Sequence, residues 1–203
     1  MPRSKGYDVA KILSNYGSEL ETIGVAGGSL LVGRHTVWVP SGSMVTRVTT
    51  GAVSGSVELS SNRIILPSWN FHASTQQHVQ FSIGMPKSWN ESTFTAQFIW
   101  SHASTATNFG VVWGLQAVAL SNDDAADANF GTAQTIVDTG GTTNDLYISD
   151  ETAAITVGNT PAELDYVIFQ PYRVAANGSD TLAIDARLHG IRLFYNINAG
   201  DDS

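Results

Sequence analysis

The sequence predicts an all-β, jelly-roll-like antiparallel β-sandwich preceded by a short N-terminal helix. Two patterns predict it: short segments with apolar residues at every second position, and clusters of Gly, Asn, Asp and Ser between those segments. No long helical pattern interrupts the series. With 203 residues, the chain fits one sandwich of the larger all-β kind and a short additional segment.

The N-terminal segment has the spacing of an amphipathic helix. Apolar residues recur at intervals of three and four, at Val9, Ile12, Leu13, Tyr16, Leu20 and Ile23. Asp8 suits the start of this helix and Gly24 suits its end. Four glycines between 24 and 33 then predict a flexible connection. We therefore divide the chain into an attachment segment at 1–33, made of helix and glycine-rich linker, and a β-sandwich domain at 34–203.

Alternation predicts the strands that follow. They are expected at 36–39, 45–49, 57–59, 63–66, 78–85, 94–101, 111–120, 146–149, 166–173 and 181–196. In 78–85, Val79, Phe81 and Ile83 share one face and polar residues occupy the other, which is typical of a half-buried strand. In 111–120 both faces are apolar apart from Gln116. We expect this strand to be covered on both faces, by a second sheet or by another subunit.

One internal turn of helix is predicted at 123–130. Asn122 and the paired aspartates occupy capping positions, and three alanines favour helix. The same segment concentrates oxygen ligands, namely Asn122, Asp123, Asp124, Asp127 and Asn129. Their spacing does not match a calcium-binding loop, so a capped helix is the preferred interpretation and a calcium site the alternative.

Composition restricts the class of partner. Charged residues make up 14% of the chain, against roughly 25% in an ordinary soluble domain. A surface so poor in charge suits a protein covered in part by neighbouring subunits, because buried charges at a contact are costly. The net charge of −8 with ten basic residues argues against nucleic acid as a partner. No segment predicts a signal peptide or a membrane span.

No pattern in the chain selects a catalytic or metal site. The chain has no cysteine and lacks the nucleophile-elbow, P-loop and dinucleotide-binding motifs. Its five histidines are not spaced as metal ligands. Carboxylates that a glycosidase could use are present, but nothing selects a pair among Asp150, Glu151, Glu163, Asp165 and Asp185. We therefore predict no catalytic residues, no cofactor and no bound metal.

The last predicted strand carries a polar face. Asp185, Arg187 and His189 alternate with apolar residues and thus share one side of the strand. We predict that they form cross-strand or intersubunit ion pairs, and we take them as candidate intersubunit contacts.

A set of segments in a fixed order carries a family resemblance. These are Met85-Pro86-Lys87-Ser88-Trp89-Asn90, Trp100-Ser101-His102, Gly110-Val111-Val112-Trp113, Phe130-Gly131-Thr132-Ala133-Gln134, the run from Asp180 to Leu188, and Leu193-Phe194-Tyr195. Their order over about residues 36–196 resembles a domain common in phage and prophage structural proteins, found at the distal end of tail fibres or as a small particle protein. The resemblance implies a trimeric β-sandwich appendage on the virion surface, without catalytic residues. It transfers no site residue, and this chain lacks the long coiled coil of a fibre shaft.

The main hypothesis is a non-enzymatic structural component of a tailed-phage particle. It would be a homotrimeric capsid decoration protein, head fibre or short tail appendage that contacts capsid or tail proteins through 1–33. In a trimer, a single His or Asp near the threefold axis could also form an ion site. Alternatively, the helix packs on its own sandwich. The alternative function is a carbohydrate-binding module for attachment to a host glycan, with Trp69, Trp89 and Tyr147 as candidate stacking residues. An esterase or glycosidase ranks last.

Overall fold

A computed structural model describes residues 33–200 and 202 of the chain. This part of the chain consists of strands, turns and one 3-10 turn at Ser41–Ser43. The strands are β1 Gly33–Pro40, β2 Val45–Thr46, β3 Val53–Glu58, β4 Ile65–Phe71, β5 Val79–Gly84, β6 Thr95–His102, β7 Phe109–Leu120, β8 Gln134–Gly140, β9 Tyr147–Ile148, β10 Val157–Gly158, β11 Tyr166–Arg173 and β12 Ala186–Ile197. Each predicted strand overlaps one of these, whereas β8 and β10 were not predicted.

The strands form two six-stranded sheets. Sheet one has the order β3-β4-β12-β6-β9. β4 pairs with β12 only up to Leu188, and from Gly190 onward β1 pairs with the same edge of β12. Sheet two has the order β10-β7-β11-β5-β2, and β8 pairs with β7. All pairings between these strands are antiparallel except the two-residue contact of β10 with β7. The predicted all-β antiparallel sandwich, jelly-roll-like in architecture, is therefore confirmed.

Aromatic rings from both sheets form the centre of the core. Trp113 of sheet two stacks on Phe98 at 5.5 Å between ring centroids and meets Phe71 edge-on at 5.3 Å, both from sheet one. Phe94 and Phe169 make a second edge-on pair at 4.9 Å. Phe94 directly precedes β6 and keeps its alternation, and the other rings lie within strands, so the period of two in the sequence places them all between the sheets.

β7 is covered on both faces, as predicted, but its own chain provides the cover. Val112 and Val118 point away from the core and are nevertheless buried in the single chain. The ring of Tyr172 lies directly over Gly114, where an added Cβ would come within 2.5 Å of the ring. β7 therefore needs no neighbouring subunit to cover its outer face.

β12 begins later than predicted because a buried arginine binds the chain that precedes it. The guanidinium of Arg173 is paired with Asp180 at 2.6 Å and donates to the carbonyls of Leu182 and Ile184. These carbonyls are then unavailable to a neighbouring strand, so 181–185 runs as an irregular segment. The predicted strand at 181–196 is thus shortened to Ala186–Ile197.

The helix predicted at 123–130 is wrong, because the segment forms turns and bends. Asp123 lies in the left-handed region at φ 67°, and the carboxylate of Asp124 accepts hydrogen bonds from the backbone N–H of Ser121 and from the side chain of Asn159. The Asn159 bond ties the segment to a distant part of the chain. Tertiary contacts therefore override the helix propensity of the alanines.

The predicted helix at 9–23 and the linker up to residue 32 lie outside the described residues. Within the described part, no helix has the length and hydropathy needed to cross a membrane.

Candidate functional site

The outer face of sheet one carries an apolar cavity of about 320 Å³. We call it the outer-face groove, and it is lined by Trp38, Leu66, Ile99, Leu146, Ile148, His189 and Arg192. These residues come from five strands and from the loop before β9. Solvent reaches much of the lining, since Leu146 is 52% exposed and Ile148 48% exposed. Exposed apolar clusters of this kind are typical of interaction sites.

Trp38 is the aromatic centre of the groove. Val39 points into the core and Trp38 points outward, where it is 51% exposed. The benzene ring of its indole rests on Gly190: a Cβ added there would lie 2.2 Å from Cη2 and 2.7 Å from Cζ2 of Trp38. Only glycine allows this close approach, and it coincides with the irregularity in the pairing of β12 with β6. The sheet therefore fixes the position of an exposed indole.

Two arginines on the same face lack a carboxylate partner. Arg192 of β12 lies opposite Trp38 of the adjacent strand β1, and its guanidinium donates to Oε1 of Gln97 at 2.9 Å. Arg187 donates to Oδ1 of Asn144 at 2.9 Å. Among the residues the structure describes, neither guanidinium lies within ion-pair distance of a carboxylate. Each arginine therefore keeps several N–H donors for a ligand.

His189 forms part of the floor of the groove and is neutral. Burial lowers the pKa of His189, and nearby Arg187 lowers it further, although a hydrogen bond to the carbonyl of Pro67 works in the opposite direction. Because that carbonyl can only accept, Nδ1 donates to it at 2.8 Å. Nε2 is then the acceptor for the hydroxyl of Ser101, also at 2.8 Å. With both ring nitrogens occupied, His189 supports the floor instead of contacting a ligand.

A more polar cavity of about 310 Å³ lies further along the same face. Here Arg34 forms an ion pair with Glu151, and its guanidinium stacks over the ring of Phe194 at 4.2 Å from the ring centroid. Thr95 donates to Glu151 at 2.9 Å. The hydrogen bond from Arg34 lowers the pKa of Glu151, so this carboxylate is ionised and already satisfied within the chain.

The predicted polar face of the last strand is only partly present. Arg187 and His189 lie on the outer face of sheet one, but Asp185 precedes β12 and is exposed in the irregular segment. Arg187 bonds to Asn144 and His189 to Ser101 and Pro67. No ion pair joins Asp185 to Arg187 in the described residues. Their role as intersubunit contacts stays a prediction.

The three aromatic residues expected to stack on a glycan lie elsewhere. Trp89 is buried completely and packs against Phe94. Trp69 is half-buried, and its indole N–H donates to the carbonyl of Ser41. Tyr147 is half-buried, and its hydroxyl accepts from the backbone of the 141–142 turn. The exposure assumed for Trp89 is therefore wrong, because its ring fills the core.

Sequence reasoning missed Trp38, although a signal for it was present. In the predicted strand at 36–39, Val37 and Val39 share one face, so Trp38 falls on the opposite, outer face.

In the described chain no group of three His, Asp or Glu side chains is placed to hold a metal ion. The alternative calcium site at 123–130 lies in a region of turns, where Asp123, Asp124 and Asp127 are exposed.

Comparison with known proteins leaves the family open. No family model and no curated protein matches the chain. Among solved structures, it is similar to the CBM36-1 domain of a xylanase from the hindgut metagenome of Trinervitermes trinervoides, with 11% identity over 78% of this chain and 96% of that one and a TM-score of 0.42. The CBM22-2 xylan-binding domain of Paenibacillus barcinonensis Xyn10C has 12% identity over 78% and 98%, with a TM-score of 0.45.

A viral protein belongs to the same group of structural neighbours. The infectious bursal disease virus Gx strain structure has 10% identity over 86% of this chain and 35% of that one, with a TM-score of 0.41. Similarities of this size carry no information on function, so the function has to be argued from the groove itself.

Proposed function

We propose that this chain is a non-catalytic glycan-binding domain that holds its ligand in the outer-face groove. The observation that carries this proposal is Trp38, an indole half exposed to solvent and fixed against Gly190 in the middle of a sheet. A sugar ring has an apolar C–H face that stacks on an aromatic ring, and its hydroxyls need planar hydrogen-bonding groups at the ring edge.

The groove offers both kinds of contact. Trp38 supplies the aromatic surface. Arg192 is its cross-strand neighbour on β12 and has unused N–H donors. Gln97 orients the guanidinium of Arg192 and is itself held by a bond from its Nε2 to the carbonyl of Ser149. Side chains that are held by neighbours before the ligand arrives lose little conformational entropy on binding. The groove is therefore organised in advance for a ligand with one apolar face and polar edges.

The test is the loss of glycan binding on replacement of Trp38. For a polysaccharide to which the wild-type chain binds, we expect Trp38→Ala to weaken the binding about thirtyfold. This is the effect of removing a central stacking residue that contributes about 2 kcal/mol. Affinity electrophoresis in polysaccharide-containing gels, followed by calorimetry, measures it.

The matched control is Tyr166→Ala, which removes an aromatic side chain of equal exposure, 51%, from sheet two. This variant should bind as tightly as the wild type. Equal binding by Trp38→Ala and the wild type, or no retention by any polysaccharide, would reject the proposal.

The aliphatic walls of the groove favour a second candidate function. Leu66, Leu146 and Ile148 cannot stack with sugars as aromatic rings do, and a patch of Trp, Arg and aliphatic residues without Lys or Glu is typical of the core of a protein interface. Here the groove would close against another copy in a homotrimer. The chain would be a structural component on the surface of a tailed-phage particle, attached to capsid or tail through 1–33.

The two functions predict different masses in solution. Assembly through the groove predicts a trimer by light scattering at micromolar concentration, which Leu146→Glu should dissociate by placing a charge in the contact. Ile64→Glu, at an exposed site outside the groove, should leave the mass unchanged. A monomeric wild-type chain that is also absent from purified particles would exclude this second function.

A further inference from the structure

The arginines of this chain are distributed unevenly over its surface. Acidic residues outnumber basic ones by 18 to 10, yet three of the six arginines in the described chain, Arg34, Arg187 and Arg192, lie on the outer face of sheet one. An acidic protein that repels anions in general thus places half of its described arginines on one sheet face, and Arg192 among them lines the groove.

The partners of these arginines separate them into two groups. Arg34, Arg63 and Arg173 are each paired with a carboxylate of the chain. Arg47, Arg187 and Arg192 are half-buried and bonded only to amide oxygens, those of Gln170, Asn144 and Gln97, and of these three Arg187 and Arg192 lie on the outer face of sheet one. Removing a guanidinium partly from water without a counter-charge is unfavourable, and an incoming anion would relieve that cost. Both positions therefore favour a negatively charged ligand.

From this distribution we infer that the ligand is an acidic polysaccharide, whose uronic-acid carboxylates bind Arg192 and Arg187 while one sugar ring stacks on Trp38. The inference rests on the proposed glycan-binding function. A planar carboxylate matches the fork of N–H donors on a guanidinium. Arg187 and Arg192 are separated by about 15 Å along β12, so a polymer with repeated carboxylates can reach both arginines at once.

The experiment compares acidic polysaccharides with their own neutral forms. The probes are alginate, polygalacturonate and hyaluronate, each with a carboxyl-reduced preparation of the same backbone, and neutral xylan and mannan. We expect at least one acidic polymer to bind about tenfold more tightly than its reduced form. That binding should weaken as NaCl is raised from about 50 mM to about 500 mM.

Arg192→Gln replaces the guanidinium by an uncharged amide and should weaken binding of the acidic polymer about tenfold. The reduced polymer can form only neutral hydrogen bonds at this position, so the same substitution should weaken its binding by no more than about threefold. The control is Arg47→Gln, because Arg47 is also bonded only to an amide oxygen, that of Gln170, but lies beside sheet two. It should bind like the wild type, and thermal melting of each variant verifies that it is folded.

The outcomes separate the inference from the function on which it rests. Binding of neutral polymers in preference to acidic ones, or an equal effect of Arg192→Gln on both, overturns the inference and leaves glycan binding intact. Failure of every polymer in the panel to bind overturns both.

Discussion

Arg173 and Asp180 form a bidentate ion pair with almost no exposed surface. We expect Asp180→Ala to lower the free energy of unfolding by about 3–5 kcal/mol, because the guanidinium would remain buried without its counter-charge. Asp180 also accepts a bond from the backbone N–H of Val112, so the substitution disturbs β7 as well. Urea denaturation with linear extrapolation measures the change.

The surface pair of Arg63 and Glu58 is the matched control. The guanidinium of Arg63 lies 3.0 Å from Oε1 of Glu58, and both side chains are exposed. Solvent therefore screens this pair. Glu58→Ala should therefore cost less than about 1 kcal/mol. Similar losses for the buried and the exposed variant would contradict the role assigned to the Arg173–Asp180 pair.

At the scale of single residues, sequence reasoning did not distinguish an exposed tryptophan from a buried one. Trp38 and Trp89 are chemically identical, and what distinguishes them is packing: one ring lies on Gly190 at the surface and the other lies against Phe94 in the core. The period of two assigns a side chain to a face of its strand. Which face is covered depends on strands far away in the sequence.

At the scale of elements, strands with clear alternation were predicted and weakly patterned ones were missed. β8 follows the edge of β7 from Gln134 to Gly140, but its residues are mostly polar or exposed, so alternation gives little signal. Its pairing with β7 supplies the backbone bonds that define it. Short segments such as β10 depend even more on their neighbours.

The two errors within elements share one cause. At 123–130 the alanines favoured helix, and at 181–185 alternation favoured strand. In both places a side chain from outside the predicted element, Asn159 or Arg173, binds groups within that element. Local propensities are weak compared with such tertiary bonds, so the irregular structure prevails.

At the scale of the whole molecule, stability should decrease as the pH falls below neutrality. Burial, followed by the charge of Arg47, lowers the pKa of His78 from 6.5 to about 4. Burial also lowers the pKa of His102 and His189. The unfolded chain takes up protons near pH 6.5 while the folded chain does not, so acidification favours unfolding in the window below 6.5, down to about 4 for His78.

Urea midpoints at about pH 7.5 and about pH 5.5 test this expectation in a range where most carboxylates stay ionised. The wild-type midpoint should be lower at the acidic pH, and His78→Asn should show a smaller difference between the two. A midpoint that is equal or higher at the acidic pH would contradict the expectation.

The whole molecule also revises the argument for assembly. Low surface charge and an apolar β7 suggested a chain completed by its neighbours, but β7 is buried by its own chain. Exposed apolar side chains occur at several places in the described chain, and Trp38, Leu146 and Ile148 among them come together in the outer-face groove. We therefore expect a contact with a sister subunit or a glycan at the groove.

The sequence by itself determined the all-β class, the position of most strands, the two covered faces of β7 and the absence of recognised catalytic motifs, because these follow from residue type and spacing along the chain. Only the tertiary structure decided which tryptophan is exposed, which arginines lack a carboxylate, and where β12 begins. The exposure of Trp38, for example, depends on the contact of β1 with β12, which are separated by about 150 residues of chain. No local pattern encodes the face on which such distant residues meet.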